Sequence, residues 1–257
     1  MTVSDRNTVL LVTSTIMPPA TMPHLQLFDA AERRHQYEEA LRFHLRAAPE
    51  HIRTILYCDN SGAALDSLEA IAAAENPHGI ETRFLSYASP VDPGLGKGRC
   101  ELELIDRGME RFAASIREGD RIWKITGRLK LVNIAEMLAS QPERFTIYAD
   151  FRKVPLIGNR LGRNHALDTR TIAFSPEGYR RYLQDSWHVA WMSTEAFLFD
   201  RLHPALASDP MIVPRLRRQP VLAGVNGASM ADYASAGYRA RNALRRVTRR
   251  FLPGLWL

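Results

Sequence analysis

Short apolar blocks alternate along the chain with stretches whose apolar positions recur every three or four residues. The first block, TVLLVTSTI (8–16), reads as a strand buried on both faces. Residues 29–47 follow as a helix with Leu41 and Leu45 on its apolar side. IRTILYC (52–58), ETRFLSY (81–87), RIWKI (121–125) and FTIYADF (145–151) read as further strands. Between them the spacing predicts helices over 63–74, 101–117 and 131–139, the second carrying Leu104, Ile105, Met109, Phe112 and Ile116. This alternation predicts an α/β fold: a largely parallel sheet covered by helices on both faces.

The pattern loosens after Phe151. A polar, glycine-containing loop leads to a short strand at 169–174, a helix over 176–183 with Ser175 as N-cap, and a helix over 194–202. Residues 204–227 are irregular, and a last helix starts near Ser229. The expected organisation is one domain over 1–228, with a first half at about 7–151 and a second at 152–228, followed by a tail at 229–257. No repeat and no low-complexity segment interrupts it.

Charge sharpens this division. The net charge is +6, from 34 Lys plus Arg against 28 Asp plus Glu. Six arginines and no acid lie between Arg239 and Leu257, and 34 less 6 equals the 28 acids, so the body is neutral and the excess sits in the tail. YRARNALRRVTRRF reads as an amphipathic helix. Ala240, Leu244, Val247 and Phe251 share one face, and Arg241, Arg245 and Arg249 another, with Arg246 and Arg250 beside them. With Trp256 near the end, this is what an interfacial membrane anchor requires. A helix packed on the domain with its arginines solvated is the plainer alternative. Nucleic acid is disfavoured, because the basic stretch has no recognisable binding fold around it. No stretch is long enough to span a bilayer, and 8–17 reads as a core strand rather than a signal peptide. Cys58 and Cys100 lack a CxxC partner and read as reduced, buried thiols of a cytoplasmic protein.

In an open α/β sheet, ligands bind beyond the carboxyl ends of the strands. That rule selects STIMPP (14–19), CDNSG (58–62, with Asp59, Asn60 and Ser61), the loop SPVDPGLGKGRCE (89–101, with Gly96, Lys97 and Gly98) before a helix, and KITGR (124–128). Alternation puts Lys124 and Thr126 on one face, with Arg128 continuing it about 7 Å per two-residue step, around Gly127. Two such cations suit a diphosphate; salt bridges to nearby acids such as Asp120 are the alternative. GLGKG is neither a Walker A loop nor a dinucleotide fingerprint.

In this order, the TST strand, DNSG, GKGRCE and KITGR resemble the nucleotide-binding half of GT-A glycosyltransferases. More narrowly, they are similar to a group of bacterial surface-polysaccharide glycosyltransferases. The resemblance covers about 8–151, and more loosely DTRTIAFS and STEAF. It implies a GT-A-like fold and transfer of a sugar from a nucleotide donor onto a lipid-linked or growing surface glycan such as lipopolysaccharide or capsule, at the inner face of the plasma membrane. Thr13, Thr15, Asp59, Asn60 and Ser61 would hold the nucleoside. Gly96, Lys97, Gly98, Lys124, Thr126, Gly127 and Arg128 would hold the diphosphate. KITGR stands where the family carries the metal-binding Asp-x-Asp, so protein cations are expected to replace the metal, with no cofactor. A base for the acceptor hydroxyl is sought among Asp150, Glu195 and, less favoured, His188. Asp168 and Arg170 are candidate acceptor or phosphate contacts, or a plain salt bridge. Rival readings are a sugar nucleotidyltransferase and a non-catalytic, membrane-associated nucleotide- or glycan-binding protein.

Overall fold

The fold is read from a computed structural model, which describes residues 7–154, 164–190, 193–225, 233, 235–252 and 256. The chain opens with β1 (Thr8–Ser14), all of it buried, and α1 (Ala30–Ala47). Asp29 caps α1, its carboxylate accepting from the Glu32 N–H at 2.8 Å. β2 (Ile52–Asp59), α2 (Asp66–Ala74), β3 (Glu81–Ser86), α3 (Lys97–Arg111) and β4 (Arg121–Thr126) follow. Then come β5 (Lys130–Leu131), α4 (Ile134–Ser140), β6 (Ile147–Tyr148), β7 (Phe151–Arg152), β8 (Ala166–Leu167) and β9 (Thr171–Phe174). A short α5 (Pro176–Gly178), capped by Ser175 and running on as a π turn to Leu183, leads to α6 (Thr194–Leu202), β10 (Ile212–Val213), β11 (Leu222–Ala223) and α7 (Ala236–Phe251).

Seven strands form the central sheet in the order β10-β6-β9-β4-β1-β2-β3. All neighbours run parallel except β9, which is antiparallel to both β4 and β6. The expected α/β architecture is therefore present, with helices on both faces. Side chains of β1 alternate between two cores: Leu10 and Val12 meet α1 residues Tyr37, Leu41 and Leu45, whereas Val9 and Leu11 meet α3 residues Leu104, Ile105 and Met109. The chain leaves β1 toward β2 on one side and reaches β4 on the other, which opens a crevice above the carboxyl ends of β1 and β4.

Three expectations shift. α3 begins at Lys97 rather than 101 and ends at Arg111, because Gly96, at φ 103°, starts the helix within the glycine run. The expected strand at 145–151 is two pieces, β6 and β7: the Ala149 and Phe151 N–H groups bond to Val213 and Pro214, and the chain crosses to a small second sheet with β8. The irregular 204–227 supplies β10 at the sheet edge and β11, which pairs with β5. The expected start of the last helix near Ser229 lies outside the described residues; the helix is described from Ala236.

Candidate functional site

A cavity occupies the crevice above β1 and β4. Its lining includes Thr13, Thr15, Asn60, Lys97, Gly98, Thr126, Arg128 and Glu195, all selected from the sequence. Register explains the convergence, since Thr13 lies opposite Thr126 and Ser14 opposite Asp59 at matching strand tips.

Asp59 is not part of the lining. Its side chain is fully buried and accepts from Ser14 Oγ and the Ile16 N–H, each at 2.8 Å, and from the Ser61 N–H and hydroxyl. A buried carboxylate requires such saturation. Ser61 is likewise engaged, accepting from the Met17 N–H at 3.1 Å. These two residues fasten the loop after β1 to the tip of β2 and offer nothing to a nucleoside. Asn60 does face the cavity, held by Thr15 Oγ1 at 2.7 Å and by the Cys100 carbonyl at 3.3 Å.

Lys124 also departs from expectation. It shares a face with Thr126 as the alternation requires, but that face meets α3, and the ammonium is 1% exposed. Nζ pairs with Glu101 and donates to the Thr169 carbonyl at 2.7 Å and to Thr126 Oγ1 at 3.3 Å. Its three protons are spent, so Lys124 cannot grip a diphosphate. A cation buried this deeply needs an anion beside it, and Glu101, on the second turn of α3, supplies it. Glu101 also accepts from Thr13 Oγ1 at 3.1 Å and lines the cavity. Lys124 thus fixes Glu101 and Thr126 in the cavity floor.

The uncompensated positive charge lies elsewhere. Among the described residues Arg128 Nη1 reaches only neutral oxygens, the Val225 carbonyl at 3.2 Å and Gln36 Oε1 at 3.5 Å, and its buried Nε finds no partner. Arg33 of α1 is 4% exposed and also forms no ion pair with a described carboxylate. It donates to the Thr15 carbonyl at 2.8 Å, the Leu27 carbonyl at 3.2 Å and the Tyr37 hydroxyl at 3.2 Å. Burial, and with it the nearby Arg128, pulls the Arg33 guanidinium below its ordinary pKa, although Tyr37 works against the shift. Lys97 stands at the N-terminus of α3, where no side chain caps the first turn, and makes no hydrogen bond or ion pair with a described residue. The helix end adds its partial positive charge.

The glycines serve packing. A Cβ at Gly98 would sit 1.3 Å from Thr194 Oγ1 and 2.6 Å from Thr194 Cβ. Gly98→Ala must therefore push α3 from α6, with an expected loss of about 1–3 kcal/mol that thermal unfolding would register; an unchanged Tm would contradict this. A Cβ at Gly127 would meet Val12 Cγ1 at 2.8 Å and the Thr13 carbonyl at 2.9 Å, so this glycine lets the turn after β4 lie on β1 and does not line the cavity. Gly96 is likewise outside the lining and starts the helix.

Of the two carboxylates considered as the base, only Glu195 faces the cavity. It lies in the first turn of α6, capped by Ser193, and makes no hydrogen bond or ion pair with a described residue. Asp150 is held elsewhere by both nitrogens of Arg249, at 2.9 and 2.7 Å, and by the Leu216 N–H at 2.9 Å. His188 stacks on Trp187, with ring centroids 3.6 Å apart. Among the described residues no group of three or more His, Cys, Asp or Glu gathers as metal ligands. Cys58 and Cys100 are free and buried, and burial pushes the Cys100 thiol up to about 11. Arg33, Tyr37, Glu101, Thr169, Arg170 and Tyr233 complete the site beyond the residues assigned to the donor from the sequence.

The tail helix is oriented in an unexpected way. Leu244, Val247, Phe251 and Leu252 are each more than half exposed, and the arginines at 239, 241, 246 and 250 are exposed on its outer surface. Tyr238, Asn242 and Thr248 are buried, and Arg245 and Arg249 turn inward. Arg249 and Trp256 thus depart from an outward role: Trp256 packs on Phe151 with centroids 6.0 Å apart, and its carbonyl accepts from the Lys153 N–H at 2.9 Å. No described helix is long and apolar enough to cross a membrane.

No protein-family profile matches the chain, and no curated protein sequence does. Among solved structures it is similar to the galactosyltransferase LgtC in complex with donor and acceptor sugar analogs, at a TM-score of 0.46 and 11% identity over 91% of this chain and 82% of that one. It is also similar to a candidate nucleotide-diphospho-sugar transferase from Desulfovibrio desulfuricans G20, at 0.43 and 13% identity over 78% and 77% of the two chains. A third is the glycosyltransferase GlyE of Streptococcus pneumoniae TIGR4, at 0.41 and 9% identity over 81% of this chain and 45% of that one.

Proposed function

We propose that the protein is a glycosyltransferase that moves a sugar from a nucleoside-diphosphate donor to a hydroxyl of a lipid-linked or growing surface glycan, at the inner face of the plasma membrane. One observation carries this reading. Two arginines, Arg33 and Arg128, sit at the cavity wall without a carboxylate partner among the described residues, close to the uncapped N-terminus of α3 and Lys97. Cations held in a low-dielectric wall without counter-charge are unfavourable unless a ligand supplies the anion. A diphosphate does so.

Transfer forms a bond from the acceptor oxygen to the anomeric carbon and breaks the bond from that carbon to the diphosphate oxygen. The departing diphosphate keeps the electron pair, and the acceptor hydroxyl loses its proton. Arg128, Lys97 and Arg33 meet the charge that grows on the leaving group. Glu195, on the facing wall, takes the proton. Thr13, Thr15, Asn60 and Thr126 offer hydrogen bonds to the rest of the donor. We expect these cations to do the work of a divalent ion, so that turnover persists in a chelator; loss of turnover restored by Mn²⁺ would overturn that part.

The direct test incubates the purified protein with UDP-, GDP-, CDP- and CMP-linked sugars and follows the released nucleotide. Release of nucleoside diphosphate, by transfer or slow hydrolysis, supports the reading. Formation of nucleoside triphosphate and sugar 1-phosphate when inorganic pyrophosphate is added would indicate nucleotidyl transfer, and binding without turnover a non-catalytic nucleotide-binding protein.

Association with an anionic bilayer belongs to the same proposal. The apolar ridge of α7 is exposed and flanked by Arg239, Arg241, Arg246 and Arg250, with no acid in the helix. Each arginine near an anionic leaflet contributes about 1 kcal/mol, and the ridge adds apolar burial. The protein should sediment with phosphatidylglycerol vesicles, dissociate at high salt, and bind less after Phe251→Ser. Equal binding to phosphatidylcholine vesicles, or none to either, would contradict this.

A further inference from the structure

A second concentration of arginines lies under α7, beyond the edge of the cavity. β7 and β8 pair so that Arg152 faces Ala166, and the Asp168 N–H donates to the Asp150 carbonyl at 2.9 Å. Two aspartates therefore stand side by side where α7 crosses. Asp150 is fully engaged by Arg249. Asp168 is engaged twice: Arg170 Nε donates to Oδ1 at 2.8 Å while its Nη2 bonds Oδ2, and Arg152 Nη2 donates to Oδ2 at 2.7 Å. Burial opposes ionisation of Asp168, but Arg170 and Arg152 outweigh it and hold the carboxyl well below the usual carboxylate range.

Arg245 lies one turn before Arg249 and turns inward with it, where no described carboxylate remains unengaged. It is half-buried, and its guanidinium makes no hydrogen bond or ion pair with a described residue. Burial first, and then Arg152 beside it, bring it down to about 10. Arg215 stands next to Arg249 and Asp150. Among the described residues the balance is four arginines (152, 170, 245 and 249) against Asp150 and Asp168, an excess of two positive charges. A structural salt-bridge network would approach neutrality. A single carboxylate would occupy only one guanidinium fork, whereas a diphosphate brings enough charge and oxygens for several.

We propose that this cluster, centred on Arg152, Arg170 and Arg245, binds a phosphate or diphosphate group of the acceptor, separately from the donor diphosphate. The proposal rests on the transferase reading above. Arg170 belongs to both places: it lines the cavity and lies 5.4 Å from the centre of the Tyr233 ring, which also lines it. An acceptor phosphate here would set the attached sugar toward Glu195. It would also leave any hydrophobic tail beside α7, whose outer face is apolar.

Calorimetric titration of the full chain with inorganic pyrophosphate tests this, with Arg245→Gln and Arg128→Gln as paired variants. The wild-type protein should show two binding events. Arg245→Gln should weaken one of them by at least about tenfold and keep the other, and Arg128→Gln should do the reverse. Since the Arg245 side chain has no partner to lose among the described residues, Arg245→Gln should also unfold at or above the wild-type temperature. Octyl diphosphate as a second probe separates the sources: tighter binding than pyrophosphate at the Arg245-dependent event supports a lipid-borne phosphate, and equal binding supports a soluble one. An unchanged titration in Arg245→Gln, or a chain that melts clearly lower, overturns the second site and leaves the donor site standing. An unchanged titration in Arg128→Gln alone removes the donor reading instead.

Discussion

Replacing Arg128 by alanine is expected to lower kcat by about 10²–10³ while leaving the Tm within a few degrees of wild type. The asymmetry follows from its partners. Among the described residues Arg128 donates only to Val225 and Gln36, at 3.2 and 3.5 Å, so its loss breaks no ion pair there. Its Nε is buried without an acceptor, so truncation removes an unsatisfied group rather than creating one. What is lost is positive charge where the leaving diphosphate gains negative charge. Arg128→Lys should recover part of the rate, because charge returns but the planar fork does not. Lys124→Met should behave in the opposite way. It strands Glu101 beside a fully buried site, so stability should fall along with activity. Activity assays and thermal unfolding of the three variants decide between a charge that acts on the ligand and one that holds the floor.

The second large effect is expected at Glu195. Glu195→Gln should reduce kcat by about 10²–10⁴, with donor binding and Tm near wild type, because this carboxylate lines the cavity and has no partner among the described residues. Asp150→Asn provides the contrast. It breaks a buried pair and leaves Arg249 uncompensated, at a cost of about 3–5 kcal/mol, while the molecules that stay folded should keep their turnover. If Asp150→Asn abolished turnover at full stability, the proton would have to be routed through Asp150, and Glu195 would lose its role.

How far the sequence reveals this site depends on what kind of information each residue carries. β1 to β4 are legible because strands buried on both faces read as unbroken apolar runs, and their ends mark where ligands can sit. The shared face of Lys124 and Thr126 is legible from strand alternation alone. What alternation does not carry is which element covers that face. Glu101 lies 23 residues earlier, on a helix whose start is obscured by three glycines, and it takes the lysine. Asp59 is misread for a related reason: a polar strand tip looks the same whether it meets a ligand or fastens a neighbouring loop. Arg33 leaves a signal that could have been used. It stands at 33 in a stripe continued by Tyr37, Leu41 and Leu45, and a cation in the apolar face of a helix needs a reason. The tail helix is the reverse case. Its two faces are legible, but which one meets the protein depends on Asp150, far away in the chain, which pairs with Arg249.

The central claim is that protein cations on α1, just after β4 and at the start of α3 form a binding site for a nucleoside diphosphate. Thermal unfolding in UDP, GDP and CDP, each with and without chelator, tests it most directly, since a ligand that binds only the folded chain raises its stability as RT ln(1 + [L]/Kd). At least one nucleotide should raise the Tm of the wild-type protein equally with and without chelator, and the shift should vanish in Arg128→Ala. A wild-type Tm unmoved by all three, or a shift that survives intact in Arg128→Ala, would contradict it.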